Sequence, residues 1–444
     1  MQWYAFDLRH TEYNTKLFQQ RPKYPNRMKK NIYLLLSCSI FFLIILTACN
    51  GNNKSDKSAS NDLQKMQIAL MDTLYNLPVE PVVGAQRLQN LLNEFPDLVS
   101  WEKRKECLRE GLLTAMELNP LPPKLPIKPL YTGQNSFDNY TVENVAFECV
   151  PGVWVIGNLY KPVGKKTSYP AMLIPHGHGE REPLEASPRF LEKAQYLSAA
   201  LAQIGVIVFN YDMFGFAESA YHAGIKVHDT SLAVSVQTWS SIRAVDFLLS
   251  LKDVDPNRIA ISGRSGGGTQ SFLVAALDER ISISAPIDQV SSFFPGGCTC
   301  ESGRPIHSQC ETLSSNVEIA AMTAPRPQLL ISEGKDWTRT TREVEFPYLQ
   351  TIYGYYGKPD LVENVHFADE RHENTYNKRS AIIRYFARQW NLNTELITYD
   401  DGDFDEKRFT LLTADQLAVF PDKQLPDGAL HTIEEIYEAL CVKR

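Results

Sequence analysis

From residue 141 to 392 the chain alternates short apolar runs with longer stretches whose apolar positions recur every three or four residues. Alternating apolar and polar positions over 145–150, the turn Pro151-Gly152 and a second run over 153–160 predict a β-hairpin. Short runs at 169–175, 205–210, 258–262, 281–285, 328–332 and 362–367, the first of them continuously apolar, are read as further strands. Helix-period stretches at 190–204, 234–251, 268–277 and 377–390 fall between or after them. Strands poor in polar residues, separated by helices, need cover on both faces. The expected fold class is therefore α/β, a mostly parallel, doubly wound sheet with an antiparallel N-terminal hairpin.

Residues 62–140 precede this domain. Leu63, Met66, Leu70 and Leu74, then Leu88, Leu91, Leu92 and Phe95, then Trp101, Leu108, Leu112 and Met116 predict a helical collar. Five prolines within 119–129 close it as a stiff connector. Residues 393–444 are expected as a short appended segment. At the other end, Met28-Lys29-Lys30, the apolar run 32–46 and Leu46-Thr47-Ala48-Cys49 have the layout of an export signal. The run is short for a spanning helix. Residues 1–48 are read as an upstream extension and signal, with Met28 as the start, and 49–61 as a polar tether. The last four residues of the signal resemble the bacterial lipoprotein box, which implies a lipid on Cys49 and anchoring in the bacterial cell envelope, periplasmic or at the outer surface.

Composition narrows the partners. Of 444 residues 43% are hydrophobic and 22% charged, which fits a globular chain, and a net charge of −7 without a basic stripe argues against nucleic acid. Beyond Cys38 and Cys49, six cysteines (Cys107, Cys149, Cys298, Cys300, Cys310 and Cys441) would meet an oxidising compartment that permits disulfides.

The chemistry centres on Gly263-Arg264-Ser265-Gly266-Gly267, between the strand over 258–262 and the helix over 268–277. This is the G-x-S-x-G elbow, whose glycines let backbone pass close to a strained serine while the helix start aims its free amides beside it. A nucleophilic serine then needs a base and a buried acid to hold the base's tautomer, in chain order Ser, acid, His, each after a strand. Asp336 follows the strand over 328–332 and His372 the strand over 362–367. Asp288, after the strand over 281–285, competes as the acid, and His366, inside the last strand, as the base. Asp369 lies near His372 in sequence but has no strand end to hold it, and Asp212 is read as bonding within its own loop. For the oxyanion, Gly266 is expected to give one amide and Gly177 or His178, in His176-Gly177-His178-Gly179, the other. No acidic third ligand stands at a familiar spacing from His176 and His178, so they are not read as metal ligands. Cys298-x-Cys300 with His307 and Cys310 is read as disulfide or free thiols rather than a zinc knuckle, since a second CxxC pair is missing. The acidic run 400–406 is read as a solvated turn rather than a calcium loop. No metal and no cofactor is expected.

The run 263–270, then 275–281, Gly297-Cys298-Thr299-Cys300-Glu301, Ala324-Pro325-Arg326-Pro327 and Lys335-Asp336-Trp337-Thr338 together resemble the acetyl xylan esterase-like, or dienelactone hydrolase-like, branch of the bacterial α/β-hydrolases. The similarity spans roughly 95–392. It implies an α/β-hydrolase fold over 141–392, with Ser265, Asp336 and His372 as a triad hydrolysing esters on carbohydrate. Arg264 and Trp337 are expected to touch substrate. One departure follows the histidine, where Glu373-Asn374-Thr375-Tyr376-Asn377 replaces the family's aromatic-Asn pair. The leading reading is a serine esterase that deacetylates a xylan-like polysaccharide through an acyl-enzyme. The alternatives are a methylesterase on pectic uronic acids, where Arg264 and Arg326 could serve an anionic sugar, a serine peptidase of the prolyl oligopeptidase type, and a catalytically silent glycan-binding lipoprotein.

Overall fold

The computed structural model describes residues 78–164 and 168–440. The helix expected over 63–74, the tether, the signal-like run with Cys49, and Cys441 lie outside the described residues. No helix among the described residues is long and apolar enough to cross a membrane.

Nine strands among the described residues form one sheet: β1 (Leu130–Ser136), β2 (Tyr140–Val150), β3 (Val153–Pro162), β4 (Tyr169–Pro175), β5 (Ile207–Tyr211), β6 (Val254–Arg264), β7 (Ile283–Ile287), β8 (Gln328–Glu333) and β9 (Val362–Phe367). Their spatial order is β1-β2-β3-β5-β4-β6-β7-β8-β9. The pairs β1·β2, β2·β3 and β3·β5 are antiparallel, and every pair from β5·β4 to β8·β9 is parallel. The expected hairpin is β2–β3. β1, an exposed edge strand, was not anticipated: Leu130-Tyr131-Thr132-Gly133-Gln134-Asn135-Ser136 buries neither face, so it carries no alternation to read.

Helices cover both faces, as buried parallel strands require. The collar helices α1 (Pro81–Glu94) and α2 (Leu98–Ala115) lie on one face together with α4 (Leu232–Ser250), α5 (Gly266–Leu277), α6 (Phe346–Tyr355) and α8 (Ile433–Leu440), while α3 (Glu192–Gln203) and α7 (Tyr376–Trp390) lie on the other. Along β4 the division follows the two-residue period of a strand: Ala171 and Leu173 join the first core, Met172 and Ile174 the second. Asp97 caps α2 by accepting from the Ser100 amide at 2.8 Å. The collar is fixed to the domain by buried Trp101, Leu108 and Leu112 and by the buried Arg104–Glu318 ion pair at 2.7 Å.

The C-terminal segment is bonded into the fold. Asn144 and Asn158 donate to the carbonyls of Ala418 and Leu417 at 2.9 and 2.8 Å, and the Glu218 carboxylate accepts from the Val419 amide at 3.0 Å. Asp212 accepts from Arg189 at 2.6 Å and from the Glu218 amide at 3.1 Å, a wholly buried network that joins this segment to the loop after β5. Residues 400–406 form a turn closed by the Thr398–Phe404 bridge.

Candidate active site

The parallel strands all end on one edge of the sheet, so Pro175, Arg264, Ile287, Glu333 and Phe367 deliver their following loops to one place. Ser265 stands between β6 and α5 with φ 56°, ψ −122°, a conformation costly for a residue with a Cβ. The glycines around it are required by close approach. A Cβ on Gly263 would lie 2.2 Å from the Pro175 carbonyl oxygen, and one on Gly177 would lie 2.4 Å from that of Arg264. The Ser265 amide is fixed by donating to the Ile287 carbonyl at 3.0 Å.

Ser265 and His372 line one cavity of about 330 Å³ together with Arg264, Gln289, Phe294, Glu301, Trp337 and His178. His372 Nδ1 meets Asp336 Oδ2 at 2.9 Å and Glu333 Oε1 at 3.3 Å. Asp336 is held from behind: its Oδ1 accepts from the Thr338 amide and, at 2.7 Å, from the Thr338 hydroxyl. Burial alone would lower the His372 pKa, but the hydrogen bond to Asp336 and the nearby Glu333 carboxylate outweigh it and the net shift is upward. Burial opposes ionisation of Asp336, yet its bonds to His372 and Thr338 hold it below the ordinary carboxylate range, while burial pushes Glu333 up. The ring of His372 packs on Trp337 at 4.2 Å between centroids, and Trp337 stacks on Phe294 at 4.3 Å. The indole N–H donates to the Asp288 carbonyl at 3.0 Å.

The competitors occupy other places. Asp288 points at Lys378 Nζ, 2.8 Å away, and burial raises its pKa to about 7. His366 Nδ1 bonds the Ser332 hydroxyl at 2.8 Å, within the sheet. Asp369 is exposed. His176 is spent on structure: its Nε2 accepts from the Met213 amide at 3.0 Å, and burial pulls its pKa down to about 3. Gly266 opens α5, and Gly177 with His178 lies directly above the elbow. His307 bonds Ser314 at 3.0 Å, and Cys310 pairs with Cys107, so the zinc knuckle weighed in the sequence is not assembled. Cys298 and Cys300 are joined to each other, and Cys149 is a buried free thiol.

Two residues of the acid cluster escaped the sequence reading. Glu333 is the last residue of β8, a strand end like those that carry the other candidates, but three residues before the better-placed Asp336. Lys378 lies on α7 and reaches Asp288, Glu333 and the carbonyls of Arg371 and Glu373 at 3.0 and 2.9 Å. A lysine at a helix start looks like any surface cation. Only the tertiary fold shows that it is 1% exposed and neutralises two buried carboxylates.

A mixed sheet with a strained serine at the strand–helix corner, and an imidazole gripped by strand-end carboxylates in the same cavity, defines an α/β-hydrolase. Residues 115–294 match the acetyl xylan esterase (AXE1) family. The chain is 34% identical to Methylesterase BT1017, a solved structure, with 82% of this chain and 79% of that one covered and a TM-score of 0.75. It is 26% identical over 246 residues to YtaP of Bacillus subtilis (strain 168), covering 52% of this chain and 81% of that protein. The chain belongs to the acetyl xylan esterase-like branch of the α/β-hydrolases and is a carboxylic ester hydrolase of the carbohydrate-esterase kind.

Proposed function

We propose that the protein is a serine esterase that removes methyl groups from the uronic acids of an anionic polysaccharide. Ser265 attacks the ester carbonyl as His372 takes its proton; methanol leaves with that proton, and water, deprotonated by His372, releases the acid. Asp336 holds the Nδ1–H tautomer, and the amides of Gly266 and of Gly177 or His178 stabilise the oxyanion. The observation that carries the choice of substrate is Arg264. Its Nη1 is buried without a hydrogen-bond partner, and the side chain lines the walls of both the Ser265 cavity and the adjoining cavity of about 270 Å³. A half-buried guanidinium whose buried Nη1 has no partner calls for an anion. A neutral xylan supplies none, whereas a partly esterified polyuronate presents carboxylates beside each ester. Trp337 and Phe294 add a stacked aromatic wall suited to a sugar face, and the likeness to a methylesterase over four-fifths of the chain agrees with this reading. The family match over 115–294 keeps deacetylation of a xylan-like polysaccharide as the second reading.

The test is release from methyl-esterified polyuronate and acetylated xylan in parallel, with methanol and acetate quantified. Methanol release should dominate, and Arg264→Gln should raise KM on the polyuronate while sparing turnover of a neutral aryl ester. Acetate release without methanol overturns the proposal in favour of the second reading. For location we propose lipid attachment at Cys49; Cys49→Ala should move the protein from the membrane fraction to the soluble one.

A further inference from the structure

The loop carrying Cys298 and Cys300 meets two histidines from distant parts of the chain. His178, His228, Cys298 and Cys300 each bring one donor atom to within 4.8 Å of the other three. His178 Nε2 is 3.0 Å from both sulfurs. Its Nδ1 faces the buried Glu301 carboxylate at 3.8 Å, and Glu301 is itself held by the Thr269 hydroxyl at 2.6 Å and the Gln289 amide at 2.8 Å. His228 is 2% exposed, and its Nδ1 meets the Phe214 carbonyl at 2.8 Å. A carbonyl only accepts, so the proton sits on Nδ1 and Nε2 carries a bare lone pair. That Nε2 is buried and has no hydrogen-bond partner. A buried acceptor without a donor calls for an explanation.

We propose that, with the cysteines reduced, these four residues bind a zinc ion. Two thiolates and two imidazoles are a soft, tetrahedral donor set of the kind zinc takes; the Phe214 carbonyl on the far nitrogen of His228 is the arrangement that orients an imidazole ligand, and the far nitrogen of His178 faces the Glu301 carboxylate at 3.8 Å. Around a tetrahedral ion with bonds of about 2.0–2.3 Å the donors stand roughly 3.3–3.8 Å apart, so the cluster needs little rearrangement to close on the metal. A thiol reductant first opens the Cys298–Cys300 disulfide, supplying two electrons and two protons and becoming oxidised itself; zinc then displaces the two thiol protons. Four protein ligands leave no open position, so the ion does no hydrolysis. It ties residues 298–300 to the loop bearing Gly177 and His178. A Cβ on Gly266 would stand 2.9 Å from the His178 ring, so the metal braces the residue that packs directly on the elbow.

The test measures bound zinc by elemental analysis after reduction and gel filtration, and the absorption spectrum of the cobalt-substituted protein. Reduced wild type should hold one zinc per chain, with cobalt giving tetrahedral bands and thiolate charge transfer. Cys107→Ser/Cys310→Ser should keep the metal. Cys298→Ser should lower the charge-transfer intensity, since only the Cys300 thiolate remains, and His228→Ala should weaken binding by more than the roughly 10–100-fold that loss of a supporting hydrogen bond costs. Reduced wild type that is folded by circular dichroism yet takes no zinc overturns the proposal. So does zinc held equally well by His228→Ala, or a Cys298–Cys300 bond that survives conditions cleaving Cys107–Cys310.

Discussion

His372 Nδ1 faces two carboxylates, and this makes the acid in this site divisible. In Asp336→Asn the Thr338 amide and hydroxyl keep the side-chain oxygen where Oδ1 was, so the new NH₂ points at the imidazole and favours the wrong tautomer. A lone acid lost in this way costs about 10⁴ in kcat. Glu333, 3.3 Å from the same nitrogen, can still accept the Nδ1 proton, so Asp336→Asn should lose less than that, and Asp336→Asn/Glu333→Gln should lose the remainder; steady-state kinetics on an aryl ester reads both. In the proposed mechanism His372 works as neutral imidazole, and its pKa is raised, so the acid limb of kcat/KM should lie above the unperturbed value of about 6.5 and move down in Asp336→Asn. The stability that His372 gains from its partners has the matching sign, full below the unfolded pKa and lost as pH climbs through the folded one. Lys378 holds the same cluster together from behind. Lys378→Met should destabilise the protein by roughly 3–5 kcal/mol in urea titrations, since Asp288 and Glu333 would stay buried without their cation.

At the scale of elements, the elbow works because three strands' ends crowd around it. Gly177→Ala places a methyl 2.4 Å from the Arg264 carbonyl oxygen and 3.0 Å from the Ser265 Cβ. Backbone cannot step aside as a side chain can, so the loop after β4 must lift. The variant should lose on the order of 1–3 kcal/mol of stability and a larger share of kcat than of substrate affinity, because the displaced loop carries the amide proposed to meet the oxyanion; thermal melts and kinetics on one ester separate the two losses. The same elements explain what the sequence disclosed. Strands β4, β5 and β7 were legible because burial on both faces leaves short runs poor in polar residues, and Gly263–Gly267 because close approach forbids side chains. β1 was not, since an exposed edge strand leaves no periodic trace, and α6 was not, since Phe346–Tyr355 mixes aromatics around the whole helix. Ser265, Asp336 and His372 could be placed by their position after strands. Glu333, Lys378, Glu301 and His228 could not, because each draws its meaning from a partner far along the chain.

At the scale of the molecule, one covalent link spans most of the fold. Cys107 on α2 and Cys310 are bonded across a sequence separation of 203. A loop of this length, closed in the unfolded chain, removes conformational entropy worth up to about 5 kcal/mol. The link also has a local consequence. Cys310 ends the segment that carries Phe294, Cys298 and Glu301 along the wall of the Ser265 cavity, and Arg104 pairs with Glu318 just beyond it. The collar is therefore what holds this wall in place. Cys107→Ser/Cys310→Ser should melt well below the wild type under oxidising conditions and at nearly the same temperature once the wild type's Cys107–Cys310 bond is cleaved. Its KM for a polysaccharide, which needs the whole wall, should rise more than its KM for a small aryl ester, which needs only the elbow and His372. Equal melting of the two proteins under oxidising conditions would show that the collar is secured by packing and the Arg104 pair alone.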